Sequence, residues 1–224
     1  MTGLAGHRRT LSGLRVPEQS EAGFSGVVLA GGRSQRLGTD KAFLPLFDQP
    51  LIARVVYTLA GLSDDLIVVT NTPAPYAALG LPVRLVGDEQ PGQGSLMGVY
   101  TGLRQARHPH ALVVACDMPF LCLSLLRYMT TLMAGYDVVV PEVNGLLEPL
   151  HAIYGEGSLP PMARLLAGGE RKIIRFFPEV RVRVVKESEI DRLDPDHLSF
   201  LNVNTRQDWD RIQQMLSTGN CFPR

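Results

Sequence analysis

The sequence predicts a single three-layer α/β domain built on a mainly parallel, mixed sheet. Short valine-rich runs with little polar alternation recur along the chain, as expected of strands buried on both faces. Segments with apolar residues at helical spacing lie between them, so strand and helix alternate as in βαβ units. The 224 residues, 45% of them hydrophobic, suffice for one sizeable core, and no repeat or low-complexity linker divides them.

Residues 1–25 contain His7, Arg8, Arg9 and Arg15 but no apolar stretch of the signal-peptide kind, and read as a flexible tail. The domain is expected over residues 26–217, with a short tail at 218–224. Residues 26–30 form its first strand. Leu51, Ile52, Val55, Val56 and Leu59 make a helical stripe, with Asp48 as its cap and Pro50 in its first turn. Residues 66–70 and 83–86 are the next strands. Leu96, Val99, Leu103 and Ala106 mark a second helix, residues 111–116 a strand, and Leu125, Leu126, Met129 and Met133 a third helix opened by Ser124. Residues 137–140 form another strand. The later half is less regular. Strands are expected at 147–154 and 180–185, a helix from near Leu159 to the break at Gly168-Gly169, and a loop at 191–199. Thr205 opens the last helix, with Asp208 three residues on to complement its dipole.

Composition narrows the function. Lys+Arg and Asp+Glu balance at 22 each, so no global field draws the chain to nucleic acid or an acidic membrane surface. No apolar run approaches the length of a bilayer span. The cysteines Cys116, Cys122 and Cys221 are odd in number and lack metal-type spacing, which points to reduced thiols and a cytoplasmic setting. No Ser-His-Asp or Cys-His arrangement stands out.

The densest chemistry lies in residues 29–41, LAGGRSQRLGTDK, directly after the first strand. In doubly wound sheets that loop is the favoured phosphate seat. Gly31 and Gly32 let backbone amides approach an anion closely, and Arg33, Arg36 and Lys41 add positive charge. The segment is neither GxGxxG nor a Walker A loop. Asp117 ends the apolar run of VVACDMPF at a strand's carboxyl edge, where a carboxylate can hold Mg²⁺ together with substrate phosphates, or alternatively cap the next helix. Glu148 and His151, three apart on the expected 147–154 strand, fall on opposite faces of the pleat, and a lone His is most often structural.

The LAGGxSxRxGxDK loop and four further motifs in order, PVRLVGDEQPGQGSLMG, VVACDMPF, LEPLHAIY and FLNVNT, resemble those of the molybdenum cofactor guanylyltransferases from Gly26 to about Leu216. The resemblance implies a GT-A-like, Rossmann-like fold, GTP and Mg²⁺ as ligands, and transfer of GMP onto molybdopterin, with molybdoenzymes or their chaperones as further partners. Lys41, Asp117 and Arg36 would then be catalytic, with Asp117 the metal ligand. The implied nucleotide contacts are Leu29, Ala30, Gly31, Gly32, Lys41, Asn71, Asp88, Gly94 and Asp117. Asp88 would meet the guanine, whose adjacent N–H donors suit a carboxylate; the alternative on the residues alone is a solvated turn residue. Asn202 and Asn204 would serve the acceptor side or a second metal position, or simply make Asx turns. Arg171 and Lys172 would lie on the acceptor side and meet the molybdopterin phosphate, or simply be solvated. The family usually has proline where Ser95 stands. Related cytidylyltransferases tend to carry Ala-Ala-Gly in place of Ala30-Gly31-Gly32, and the smaller Gly31 leaves room for a purine. A cytidylyltransferase, or another nucleotidyltransferase of that superfamily, is the nearest rival. A nucleotide-binding regulator without catalysis is the alternative of a different class.

Overall fold

The computed structural model describes residues 23–31 and 40–217. The expectations for Gly32, Arg33 and Arg36, and for residues 1–22 and 218–224, lie outside the described residues. Among the described residues, eight strands form one sheet in the order β10-β7-β9-β6-β1-β4-β5, with β8 paired to β7. These strands are β1 (Ser25–Leu29), β4 (Leu66–Val69), β5 (Arg84–Val86), β6 (His110–Ala115), β7 (Val138–Val143), β8 (Leu146–Leu147), β9 (His151–Gly155) and β10 (Val182–Val185). The pairs β1–β4, β1–β6, β4–β5 and β7–β10 are parallel. Antiparallel β9 sits between β6 and β7 and makes the sheet mixed, as expected. Strands β2 (Pro45–Leu46) and β3 (Gln49–Pro50) form a separate hairpin.

The alternation of the pleat divides the core in two. Val28, Val68, Leu112 and Ile153 face α1 (Leu51–Ala60), α4 (Leu123–Thr131) and α6 (Glu187–Ile190). Val27, Leu29, Ile67, Val113 and Tyr154 face α3 (Ser95–Gln105), α5 (Leu159–Ala167) and the 3₁₀ segment Ile173–Glu179. Helix α3 lies unusually close to β1, because a Cβ on Gly102 would stand 2.5 Å from Val27 Cγ1. A third cluster of Leu46, Leu51, Phe120, Val203 and Ile212 anchors α7 (Arg206–Ser217) beside the hairpin.

Several local expectations change. The fold begins before Gly26: Phe24 and Ser25 are buried, and Ser25 Oγ donates to Asp65 Oδ2 at 2.6 Å. Asp48 does not cap α1. It occupies the β2–β3 turn with φ 65° after Phe47 at φ 49°, a primed hairpin turn, and Pro50 takes the cap position. Helix α4 opens at Leu123, with Cys122 at the cap, where its N–H is already bound by Ser199 Oγ at 2.8 Å. Ser124 is therefore inside that helix. The run 147–154 is broken between β8 and β9, so Glu148 and His151 do not share a strand; the His151 N–H instead bonds the Glu148 carbonyl at 3.0 Å. The predicted cap of α7 forms: the Asp208 N–H donates to Thr205 Oγ1, while Asp208 Oδ2 accepts from the N–H groups of Asn204 and Thr205.

Topology then positions the site. From β1 the chain passes through α1 to β4 on one side, and it returns through α3 to β6 on β1's other side. Loops leaving neighbouring strands in opposite directions open a crevice at their carboxyl ends. That switch point lies where Leu29 of β1 is paired with Ala115 of β6.

Candidate active site

One pocket occupies this crevice. Leu29, Ala30 and Gly31 come to it from β1, Lys41 from the turn Lys41–Phe43, Asp88 from the end of β5, Gly94 from the start of α3, and Asp117 from the end of β6. Seven of the residues expected to bind nucleotide therefore converge, although they are spread over 89 positions from Leu29 to Asp117. Asp40, Ser95, Gly98, Cys116 and Leu150 also line it; Ser95 and Gly98 belong to the PGQGSLMG segment of the resemblance and Leu150 to LEPLHAIY, whereas Asp40 and Cys116 carry no expected site role. For Asp40 the only signal was its place beside Lys41 in the charged loop.

On the side of the pocket nearest Lys41, its Nζ donates to Asn204 Oδ1 at 2.8 Å and lies 3.6 Å from Asp117 Oδ2. Asn204 is held for that contact by the α7 cap, and the Val203 N–H bonds the Asp117 carbonyl at 3.0 Å. Burial pushes the Asp117 carboxyl above its ordinary range, against the downward pull of Lys41. One lysine thus leaves this acid incompletely compensated. Asp117 caps no helix, since α4 starts six residues later. Asn202 is half-buried on the same connection and does not line the pocket. The Cys116 thiol is pushed far upward, first by burial and then by Asp117, which removes it as a nucleophile.

On the opposite side, Asn71 grips Asp88 twice. Its Nδ2 donates to Asp88 Oδ2 at 2.8 Å, and its Oδ1 accepts from the Asp88 N–H at 2.9 Å. Asp88 Oδ1 is buried and has no hydrogen-bond partner. It lies 3.8 Å from where a Gly98 Cβ would stand, on the pocket's wall. A buried, unpaired carboxylate oxygen is costly, and a ligand carrying N–H donors would relieve it. Gly94 enters α3 with φ 77°, a conformation that favours glycine, and the Arg171 stem would lie 3.8 Å from a Cβ there. Arg171 is exposed at this rim. At Gly31 a Cβ would meet nothing within 4 Å among the described residues.

His151 does not act at this site. It is fully buried against Phe200, with ring centroids 4.9 Å apart, and neither ring nitrogen has a partner. Burial lowers its pKa to about 4. Because the folded value lies below the ordinary one near 6.5, the unfolded chain takes up the proton first as pH falls. The contribution is fully present above pH 6.5 and is lost on acidification toward pH 4, amounting to about 2–3 kcal/mol. His151→Leu should lose that much less stability than the parent between pH 7 and pH 4.5, measured by urea unfolding. Parallel losses in the two proteins would remove His151 as the cause.

A lysine–carboxylate pair at the switch point and an unpaired acceptor across the crevice are the polar groups this α/β protein gathers in one pocket. Residues 26–184 match the model of the MobA-like NTP transferase domain, and the chain belongs to that family of nucleotidyltransferases. It is 40% identical over 191 residues to a probable molybdenum cofactor guanylyltransferase of Pelotomaculum thermopropionicum, covering 85% of this chain and 92% of that one. It is 36% identical over 200 residues to a molybdenum cofactor guanylyltransferase of Desulfosudis oleivorans, covering 87% and 96%. The crystal structure of molybdopterin-guanine dinucleotide biosynthesis protein A from Archaeoglobus fulgidus superposes with a TM-score of 0.76 at 26% identity, covering 87% of this chain and all of that one. The architecture is accordingly that of the GT-A-like nucleotidyltransferases. No helix among the described residues is long and apolar enough to cross a membrane.

Proposed function

We propose that this protein transfers GMP from GTP to molybdopterin, giving the guanine dinucleotide form of the cofactor and pyrophosphate. Relatives at 36–40% identity carry that activity in their names. The observation that carries the choice of base is Asp88 Oδ1, an unpaired buried acceptor in the pocket wall. Guanine offers two adjacent N–H donors to such an oxygen, and cytosine has no matching pair. Gly31, which carries no side chain, agrees with a purine.

In the proposed reaction, a terminal phosphate oxygen of molybdopterin attacks the α-phosphorus of GTP in line. The new P–O bond forms as the bond to the β-phosphate bridge breaks, and pyrophosphate leaves with that electron pair. The attacking oxygen is already anionic, so no protein base or nucleophile is required, and catalysis consists of positioning and charge neutralisation. Lys41 neutralises the phosphates from the β1 side, with Gly31 and Gly32 contributing amides and Arg36 further charge. Asn204, Arg171 and Lys172 serve the acceptor side, and Asn202, which does not line the pocket, is left out of that role. A divalent cation, Mg²⁺ in this reading, suits the all-oxygen donors Asp117 and Asn204, and the raised Asp117 carboxyl is what an additional positive charge would correct. When bound it supplies electrostatic stabilisation at the reacting phosphate. The cytoplasm is the proposed setting, and molybdoenzymes or their chaperones the proposed recipients. Neither nucleic acid nor a membrane has a role.

A nucleotide panel with purified molybdopterin, Mg²⁺ and a pyrophosphate readout tests the assignment. GTP should bind at least tenfold more tightly than CTP or ATP, a difference of about 1.4 kcal/mol. Equal binding of CTP would transfer the assignment to the cytidylyltransferases. Binding of GTP without turnover would favour a regulator.

A further inference from the structure

We propose that Tyr76 is a positioning residue for this chemistry, a clamp that joins the two ends of the phosphate loop and thereby fixes Lys41. Tyr76 lies on the short helix α2 (Pro73–Ala77), which follows β4, and the residue is 2% exposed. Its hydroxyl donates to Asp40 Oδ2 at 2.9 Å and is 3.4 Å from the Ala30 carbonyl. Ala30 and Asp40 stand on either side of residues 31–39, so one phenol holds together the chain entering that segment and the chain leaving it.

The grip extends to the lysine. Asp40 uses its other oxygen, Oδ1, to accept from the Ala42 N–H at 3.1 Å, and so caps the turn Lys41–Phe43. The Tyr76 ring packs on Phe43 of the same turn, with centroids 4.9 Å apart. Lys41 is therefore held by the phenol through the carboxylate before it and by the aromatic ring two residues after it. From that turn its ammonium reaches Asn204 and Asp117. A phenylalanine would fill the same core space. A buried hydroxyl is retained where its hydrogen bond is needed, and burial pushes this phenol's pKa upward, which keeps it a donor. Tyr76 does not line the pocket, so its effect passes through Asp40 and Lys41. Helix α2 also begins two residues after Asn71, so the segment that orients Asp88 carries the group that braces Lys41.

The inference rests on the reading that Lys41 acts on the triphosphate. Tyr76→Phe retains the ring contact and removes only the hydroxyl. Its kcat should fall about tenfold while KM for GTP moves less than about threefold, because Asp88 and its Asn71 partner, the base side of the pocket, are untouched. Asp40→Ala should lose about as much. The double variant should fall no more than about threefold below the worse single, since both remove the same link. A Tyr76→Phe kcat within about threefold of the parent, or losses that multiply to about a hundredfold in the double variant, would overturn the proposal. Deuterium exchange on the ligand-free protein provides an arm that needs no substrate. The amides of Ala42, Phe43 and Leu44 should exchange about tenfold faster in Tyr76→Phe, with those of the central strands unchanged. Unchanged exchange at the turn refutes the clamp, and faster exchange throughout the sheet makes Tyr76 a general core residue. If the parent releases no pyrophosphate from any nucleotide, the guanylyl reading fails and the exchange arm alone decides the clamp.

Discussion

Asp117→Asn should lower turnover about 100-fold or more, an effect of about 3 kcal/mol, while weakening GTP binding only modestly. The substitution keeps the side chain's shape and removes its charge. Lys41 keeps its 2.8 Å bond to Asn204, so the cationic seat for the phosphates persists. What disappears is the carboxylate proposed to hold the divalent cation. The folded state should survive for a reason that only the structure supplies. It is the Asp117 backbone carbonyl that the Val203 N–H bonds, so the tie to the α7 connection does not depend on the carboxylate. The carboxyl is also raised by burial, and a neutral amide avoids that desolvation, so the melting temperature should hold or rise slightly. Pyrophosphate release against Mg²⁺ concentration, measured with GTP binding and melting for both proteins, decides the matter. Turnover within about threefold of the parent would put the catalytic cation elsewhere.

Asp88→Asn should weaken GTP binding about 100-fold, or about 2.7 kcal/mol, and leave CTP binding within about threefold. The asymmetry follows from Asn71. Its Nδ2 donates to Oδ2 of Asp88 at 2.8 Å, so an asparagine at this position turns its carbonyl oxygen toward Asn71. The amide nitrogen then takes the place of Oδ1, the unpaired acceptor. A donor would face the donors of guanine, which replaces a charge-assisted hydrogen bond by a repulsive contact. Turnover at saturating GTP should change little, because Lys41 and Asp117 are untouched. Equilibrium titration with GTP, CTP and ATP on both proteins checks this. A loss shared equally by all three nucleotides would show that Asp88 supports the pocket and does not read the base.

The parts of this protein that the sequence determined by itself are those written within a few neighbouring residues. Valine-rich runs specify buried strands, and the stripe Leu51, Ile52, Val55, Val56 and Leu59 is entirely buried in α1 as its spacing requires. The loop at residues 29–41 and Asp117 after a strand stand out in the sequence because glycines, cations and a carboxylate beyond strand ends suit phosphate and cation chemistry. Tertiary structure decided everything that depends on strand order. Antiparallel β9 between β6 and β7 leaves no local mark in its sequence. Lys41 meets Asn204 across 163 residues, and Tyr76 meets Asp40 across 36, only because β1 lies between β4 and β6. Asp48 and Ser124 are residue types that cap helices, yet a hairpin turn claimed the first, and the start of α4 one residue earlier left the second inside the helix. Neighbouring residues alone leave Asp88 between a base contact and a solvated turn residue, whereas in the fold Asn71, 17 positions away, holds one of its oxygens and leaves the other buried. Local periodicity is set by side chains a few ångströms apart along the chain, whereas a binding site is set by which chain segments the packed core brings together.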